Sequence, residues 1–243
     1  MYNLNYLLLQ AGLDKNAAFI ISIVLCAVVS YLVGSLNFGI ILSNKLYHGD
    51  VRTSGSGNAG STNMLRTYGK KAGALTFLCD ILKTVAVIML APFFFYHQDM
   101  RFLSMFVAGF ACMIGHSYPV FFKFRGGKGV ACFGALVVVT SIRMNMWYLF
   151  VILLVLFLAI VLVTKYVSLG SVICALAYPV LLNRLNGADK SVELIAVAIG
   201  LFVVFQHRKN IARLLRGEEN KTVLIKGRKK SGGTDGADNK DEK

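Results

Sequence analysis

The sequence predicts an all-α fold: a polytopic transmembrane helical bundle of about seven spans, with five to seven allowed by run length. Three observations predict it. Of the 243 residues, 56% are hydrophobic and mean hydropathy is +0.63. The apolar residues fall in long unbroken runs, and the basic residues gather in alternate connecting loops. Charged residues make up 16% of the chain, well below the roughly 25% of a soluble domain. A backbone inside lipid must satisfy its own hydrogen bonds, which leaves helices or a closed barrel. Barrel strands alternate apolar and polar residues over about ten positions. The stretch WYLFVILLVLFLAIVLV (147–163) does not alternate, so helices are expected.

The runs follow in order. The first, 17–43, the second, 72–96, and the third, 102–122, are long enough to span. The fourth, 129–142, is shorter than the range of about 17–25 residues that a standard span needs. The fifth, 146–164, is uniformly apolar. The sixth, 167–183, is short and contains Pro179, and the seventh, 191–206, is also short. The short runs are open to re-entrant or interfacial readings. Residues 1–219 read as one integral membrane domain, and 220–243 as a polar tail expected to be disordered. No basic n-region precedes the first long run, so no cleavable signal peptide is read.

Charge sets the orientation. With an outside N-terminus, one side receives Lys45, Arg52, Arg66, Lys70 and Lys71. It also receives Lys123, Arg125 and Lys128, then Lys165, and eleven more residues beyond 206. The other side receives Lys15, Arg101, Arg143, Arg184 and Lys190, so the split is twenty against five, with Lys83 inside a run. The rich side belongs in the cytoplasm, so the C-terminus is expected there and the N-terminus outside. The net charge of +14 then reflects basic flanks attracted to anionic membrane lipids. Nucleic acid is not an expected partner, because no basic segment is interleaved with stacking aromatics. The five cysteines (Cys26, Cys79, Cys112, Cys132 and Cys174) each sit alone in an apolar run. They read as small hydrophobes, and no metal site or cofactor is expected.

Four polar stretches interrupt the runs, all on the basic side. The first, GDVRTSGSGNAGSTNMLRTYGKK (49–71), packs glycines, hydroxyls, Asn58, Asn63, Arg52 and Arg66 into one loop. Glycines let the backbone approach a ligand, clustered amides bind anions, and arginine clamps phosphate. A plain Gly/Ser linker has no reason to hold Asn and Arg so densely. The second, FRGGKGV (124–130), places Gly126, Gly127, Lys128 and Gly129 at the start of the fourth run. A helix there would aim its N-terminal amides at an anion. The spacing GxxxxGK[ST] is absent, so ATP and GTP are not expected. His116, just upstream, reads as structural rather than catalytic. In KYVSLGS (165–171), Ser168 and Ser171 share a helical face, which suits either packing or a site. In HRKNIARLLRGEEN (207–220), His207 and Asn210 share a face, with Arg213 one turn on. A lipid-binding helix is the alternative, but it calls for basic residues rather than a His/Asn pair. Asp80 and Lys83, one turn apart within the second run, read as an internal ion pair. Phosphate-gripping loops wedged between apolar runs suit a ligand that joins a phosphate to a lipid chain. A transporter would need polar or broken elements near the midplane, whereas these clusters lie at one face. A bare membrane anchor leaves the glycine loops unexplained.

These stretches, with GSLNFG (34–39) and LCDILK (78–83), resemble the bacterial acyl-phosphate:glycerol-3-phosphate acyltransferases, in order and through residue 219. The resemblance implies transfer of a fatty acyl group from acyl phosphate to the sn-1 hydroxyl of glycerol 3-phosphate. The products are lysophosphatidic acid and inorganic phosphate. It also implies a bacterial inner-membrane enzyme with its site facing the cytoplasm. Ser56, Arg66, Lys128, His207 and Asn210 are the expected catalytic residues. Arg52, Gly55, Gly57, Asn58, Gly60, Asn63, Gly126, Gly127, Gly129 and Ser168 are the expected substrate-binding ones. Acyl phosphate is already activated, so no covalent enzyme intermediate is required, and Arg66 with Lys128 would offset the repulsion of two anions. None of the four histidines begins an HxxxxD motif. The base therefore stays open between His207 and a substrate phosphate.

Overall fold

The computed structural model describes residues 3–95, 99–186 and 189–221. The tail expected to be disordered lies almost wholly outside these residues. Every regular element among the described residues is helical. A short α1 (Leu4–Gln10) precedes α2 (Lys15–Gly34), whose first amides are capped by the Asp14 carboxylate. The chain breaks at 35–37, and α3 (Phe38–Tyr47) begins. The first apolar run is thus two helices.

That break is held from three sides. Asn37 Oδ1 accepts from Ile40 N at 3.2 Å and so caps α3, while its Nδ2 donates to His116 O at 3.1 Å. Lys83 Nζ donates to Gly34 O at 3.1 Å and Leu36 O at 2.9 Å, carbonyls freed where α2 stops. Lys83 also pairs with Asp80 at 2.8 Å, and both residues are buried. The expected internal ion pair is therefore present. Its lysine satisfies two carbonyls of a broken helix end, which could not be left unpaired inside lipid.

Two helices follow: α4 (Ser61–Tyr68) and, after a turn at Gly69, α5 (Lys70–Leu90). Then come α6 (Asp99–Ser117), α7 (Val130–Arg143), α8 (Trp147–Thr164), α9 (Val167–Asn186), α10 (Lys190–Gln206) and α11 (Arg208–Leu215). Five helical stretches are long and apolar enough to cross a membrane: Lys15–Tyr47, Lys70–Phe94, Met100–Phe122, Trp147–Thr164 and Val167–Leu185. The pair α10–α11 makes a sixth if read as one span, though it bends by 57°. The fourth run, α7, rises about 21 Å against a core of about 30 Å. Among the described residues five to six helical stretches therefore qualify as spans by length and composition, within the expected five to seven, and α7 is the short run left over.

Close helix contacts rest on small residues. A Cβ at Gly34 would enter the Cys112 backbone of α6, and one at Gly115 would enter the Tyr31 backbone of α2. This is how membrane helices pack without a water-driven force between them. Behind that seam, Tyr178 is enclosed by Phe106 and Phe133 at centroid separations of 6.4 and 5.5 Å. Its hydroxyl lies 3.3 Å from Thr140 Oγ1. The outer faces are apolar: Leu162, Val163 and Leu194 are 64, 82 and 71% exposed. A water-soluble domain avoids such a belt, whereas a bilayer demands it. Trp147 and Tyr148 open α8, and such residues favour a membrane–water interface.

Candidate active site

All four polar stretches meet at one end of the bundle, around a cavity of about 500 Å³. The first loop is stitched by Asn63, at the start of α4. Its Nδ2 donates to Val51 O and Ser54 O, and its Oδ1 accepts from Ser56 N, all at 2.9 Å. Gly55 and Gly57 take left-handed φ of +59 and +70°, which turns Ser56 into the cavity. Asn58, Gly60 and Arg66 also line it. Arg52, expected among the substrate-binding residues, does not. Its guanidinium grips Asp50 from two nitrogens (3.0 and 2.7 Å) and donates from Nη1 to Phe122 O at 2.9 Å and Arg125 O at 3.1 Å. It buckles the first loop to the second. Gly55 likewise lies behind the lining, where a side chain would strike Asn63.

The second loop sits on the end of α6. Gly126 N donates to Ser117 O, and Gly127 N to His116 O, both at 3.1 Å. Neither glycine has room for a Cβ: at Gly126 it would meet the His116 carbonyl, and at Gly127 the His116 ring. The imidazole of His116 is thus the floor under the loop. Its Nδ1 lies 3.3 Å from Asp80 Oδ1, which fits the structural reading of this histidine. Gly129 has φ of +77° and starts α7, with Lys128 just before it reaching into the cavity.

From the other side come α9 and α11. Lys128 Nζ donates to Asn210 Oδ1 at 2.5 Å, and Asn210 Nδ2 donates to Glu219 Oε1 at 2.6 Å. The same carboxylate accepts from Ser168 Oγ at 2.9 Å and, through Oε2, from Arg213 Nε at 2.8 Å. Glu219 is therefore the hub of the site. It escaped sequence reasoning, since a carboxylate reads as the wrong charge for an anion cradle. The available signal was a lone acidic pair closing a strongly basic segment.

Electrostatics follow from this crowding. Burial pushes the Lys128 ammonium down to about 8; Arg213 and Arg66 push the same way, while Glu219 opposes them. Burial also lowers His207 to about 4, helped by the charge of Lys128. The His207 ring is therefore neutral near pH 7. Its Nδ1 lies 2.7 Å from Val203 O, and since a carbonyl only accepts, the proton is on Nδ1 and Nε2 is bare. Burial raises the Glu219 carboxyl, but hydrogen bonds from Asn210, Ser168 and Arg213 outweigh it and hold the group below its ordinary value. Around this network Arg66, Lys128 and Arg213 exceed the carboxylates, so the cavity suits an anion. Phe77, Phe157 and Val167 line an apolar flank of the same cavity. No cluster of metal-ligating side chains occurs among the described residues.

Ser56, Arg66, Lys128, Ser168, His207 and Asn210, widely spaced in sequence, thus surround one space, together with the glycines at 57, 60, 126, 127 and 129. The chain resembles known proteins over the same extent. A glycerol-3-phosphate acyltransferase of Finegoldia magna is 41% identical over 203 residues, 82% of this chain and 96% of the relative. One of Clostridioides difficile is 39% identical over 207 residues, 83% and 96% of the two chains. The crystal structure of PlsY (YgiH), an integral membrane glycerol 3-phosphate acyltransferase in its glycerol 3-phosphate form, superposes with a TM-score of 0.73 at 34% identity. It covers 83% of this chain and 96% of that one. Its lysophosphatidic acid form gives 0.70 at 33%, with coverage of 82 and 95%. Residues 24–217 match the family described as glycerol-3-phosphate acyltransferase, and the chain belongs to that family.

Proposed function

We propose that this membrane acyltransferase moves a fatty acyl group from acyl phosphate to the sn-1 hydroxyl of glycerol 3-phosphate. It does so at the cytoplasmic face of the bacterial inner membrane. The observation that carries the reading is a cationic, glycine-lined cavity with an apolar flank at one end of a membrane bundle. Phosphate groups suit the loop amides, Arg66 and Lys128, and an acyl chain suits the flank. One relative, solved in a glycerol 3-phosphate form and a lysophosphatidic acid form, supports the acceptor and the product.

The hydroxyl oxygen attacks the acyl carbonyl carbon, the carbon–oxygen bond to phosphate breaks, and inorganic phosphate leaves. The hydroxyl proton must go to a base. His207 presents a bare Nε2, but at about 4 it is a weaker base than a phosphate monoanion–dianion couple near 6. In the free protein His207 is therefore the weaker of the two bases, and its bare Nε2 suits accepting a hydrogen bond from the glycerol. Two anions are held side by side by Arg66, Lys128 and the loop amides, whose fixed dipoles also favour the developing charge. Positioning of this kind is worth up to about 7–11 kcal/mol. The test is phosphate release by the purified full chain given palmitoyl phosphate and glycerol 3-phosphate. Release should require both substrates, and its absence sinks the reading.

A further inference from the structure

The loop at 126–129 has no hydroxyl of its own, but one lies beside it in the fold. Ser117 is the last residue of α6 and is 4% exposed. Its carbonyl is already used by Gly126 N, which locks the residue to the loop. Its Oγ points beside Gly129, where an added methyl would come within 3.5 Å of it. Ser117 lines the same cavity as Lys128 and Gly129. That buried Oγ has no protein partner among the described residues.

A serine at a helix end ordinarily returns its hydroxyl to a carbonyl one turn back, as Ser171 does toward Val167 O. Ser117 does not. A buried hydroxyl left alone is costly, and such exceptions call for an explanation. Here the neighbours give one. The Lys128 ammonium lines the same cavity, and a phosphate dianion offers only acceptors, so a hydroxyl facing that anion can serve it only as a donor. We propose that Ser117 is a phosphate-binding residue of this site, donating Oγ–H to an oxygen of a phosphate held beside Lys128 and Gly129. The proposal rests on the cavity being a phosphate site.

The test uses the full chain in detergent with Ser117→Ala and Ser117→Thr. Affinity for inorganic phosphate is measured by titration, and KM and kcat are measured for each substrate in turn. Loss of one donor to a charged group should weaken phosphate binding and raise one of the two KM values about ten- to hundredfold. The other KM and kcat should stay within about threefold, because the bond is made in the ground state as well. Thr keeps the hydroxyl and should restore the wild-type values, which a purely space-filling role does not explain. Unchanged phosphate affinity and unchanged KM values in the Ala variant overturn the proposal and leave water as the partner of Ser117. If the Ala variant loses its fold, Ser117→Cys, nearly isosteric and a poor donor, carries the same reading. Inorganic phosphate is scored without turnover, so failure of the acyl-transfer assay is distinguishable from failure of this residue.

Discussion

In the proposed reaction Lys128 must be charged to hold a phosphate, yet its surroundings resist that charge. It is buried, and Arg213 and Arg66 add like charge, so it titrates at about 8 in the free protein. A lysine loses its proton as pH rises, so the grip weakens through that value. The substrate phosphates complete their second ionisation near 6 and no longer change there. The alkaline fall in kcat/KM, which reports the free enzyme, should therefore centre near 8 and belong to Lys128. Lys128→Arg tests this, since a guanidinium stays charged to beyond about pH 12. The variant should be slower overall, because a planar fork cannot reproduce a single bond to Asn210. Its alkaline limb should be flat, however. Profiles between about pH 7 and 10 decide: parallel declines in both proteins would place the titration on another group. Asn210 and Glu219 share in this balance. Glu219 stays ionised beside Lys128 because three donors hold it, and that negative charge keeps the ammonium from titrating lower still.

Among elements, the first two glycine loops behave as a pair because Arg52 joins them. It spans the Asp50 carboxylate on one side and two carbonyls of the 122–125 turn on the other. Lysine carries the same charge but not the fork. Arg52→Lys should therefore keep the fold while losing about tenfold in kcat/KM, the worth of roughly one or two hydrogen bonds. Steady-state rates alongside a thermal unfolding scan check this, and wild-type kcat/KM in the variant would show that the buckle does not matter. Arg52 also marks where sequence reasoning stopped. A guanidinium among glycines and hydroxyls looks the same whether it faces a ligand or a neighbouring carbonyl, and only the fold tells which. The same limit hid Glu219, whose role depends on α9, α11 and the second loop meeting. It also hid the break after Gly34, which stands because Lys83 reaches it from another helix. By contrast, the convergence of 55–66 and 126–129 on one cavity was legible, because dense glycine, amide and hydroxyl side chains have few other uses between apolar runs. So was the Asp80–Lys83 pair, since charges one turn apart inside lipid have to find each other.

For the whole molecule, the decisive property is that the polar ends of the helices alternate. The chain leaves the cavity at Gly129, travels along α7, turns at 144–146, and returns along α8 to Lys165, next to the cavity-lining Val167 and Ser168. The cavity end carries the basic loops and the far end carries few charges, so the distribution of lysine and arginine predicts a cytoplasmic cavity. Although α7 is too short to match the hydrocarbon thickness on its own, the alternation requires only that it carry the chain from one end to the other. Flanking residues or local thinning can absorb the shortfall at modest cost. Single cysteines in a cysteine-free background test the orientation with a membrane-impermeant maleimide. Asn145→Cys should react in right-side-out vesicles, whereas Lys165→Cys and Lys221→Cys should react only in inside-out ones. The native thiols have to be removed first, but four of the five are buried, so small replacements there test packing rather than access. Reaction of Lys165→Cys from the outside would place the cavity away from the compartment that supplies phosphorylated substrates. The charge argument and the proposed reaction would then both have to be abandoned.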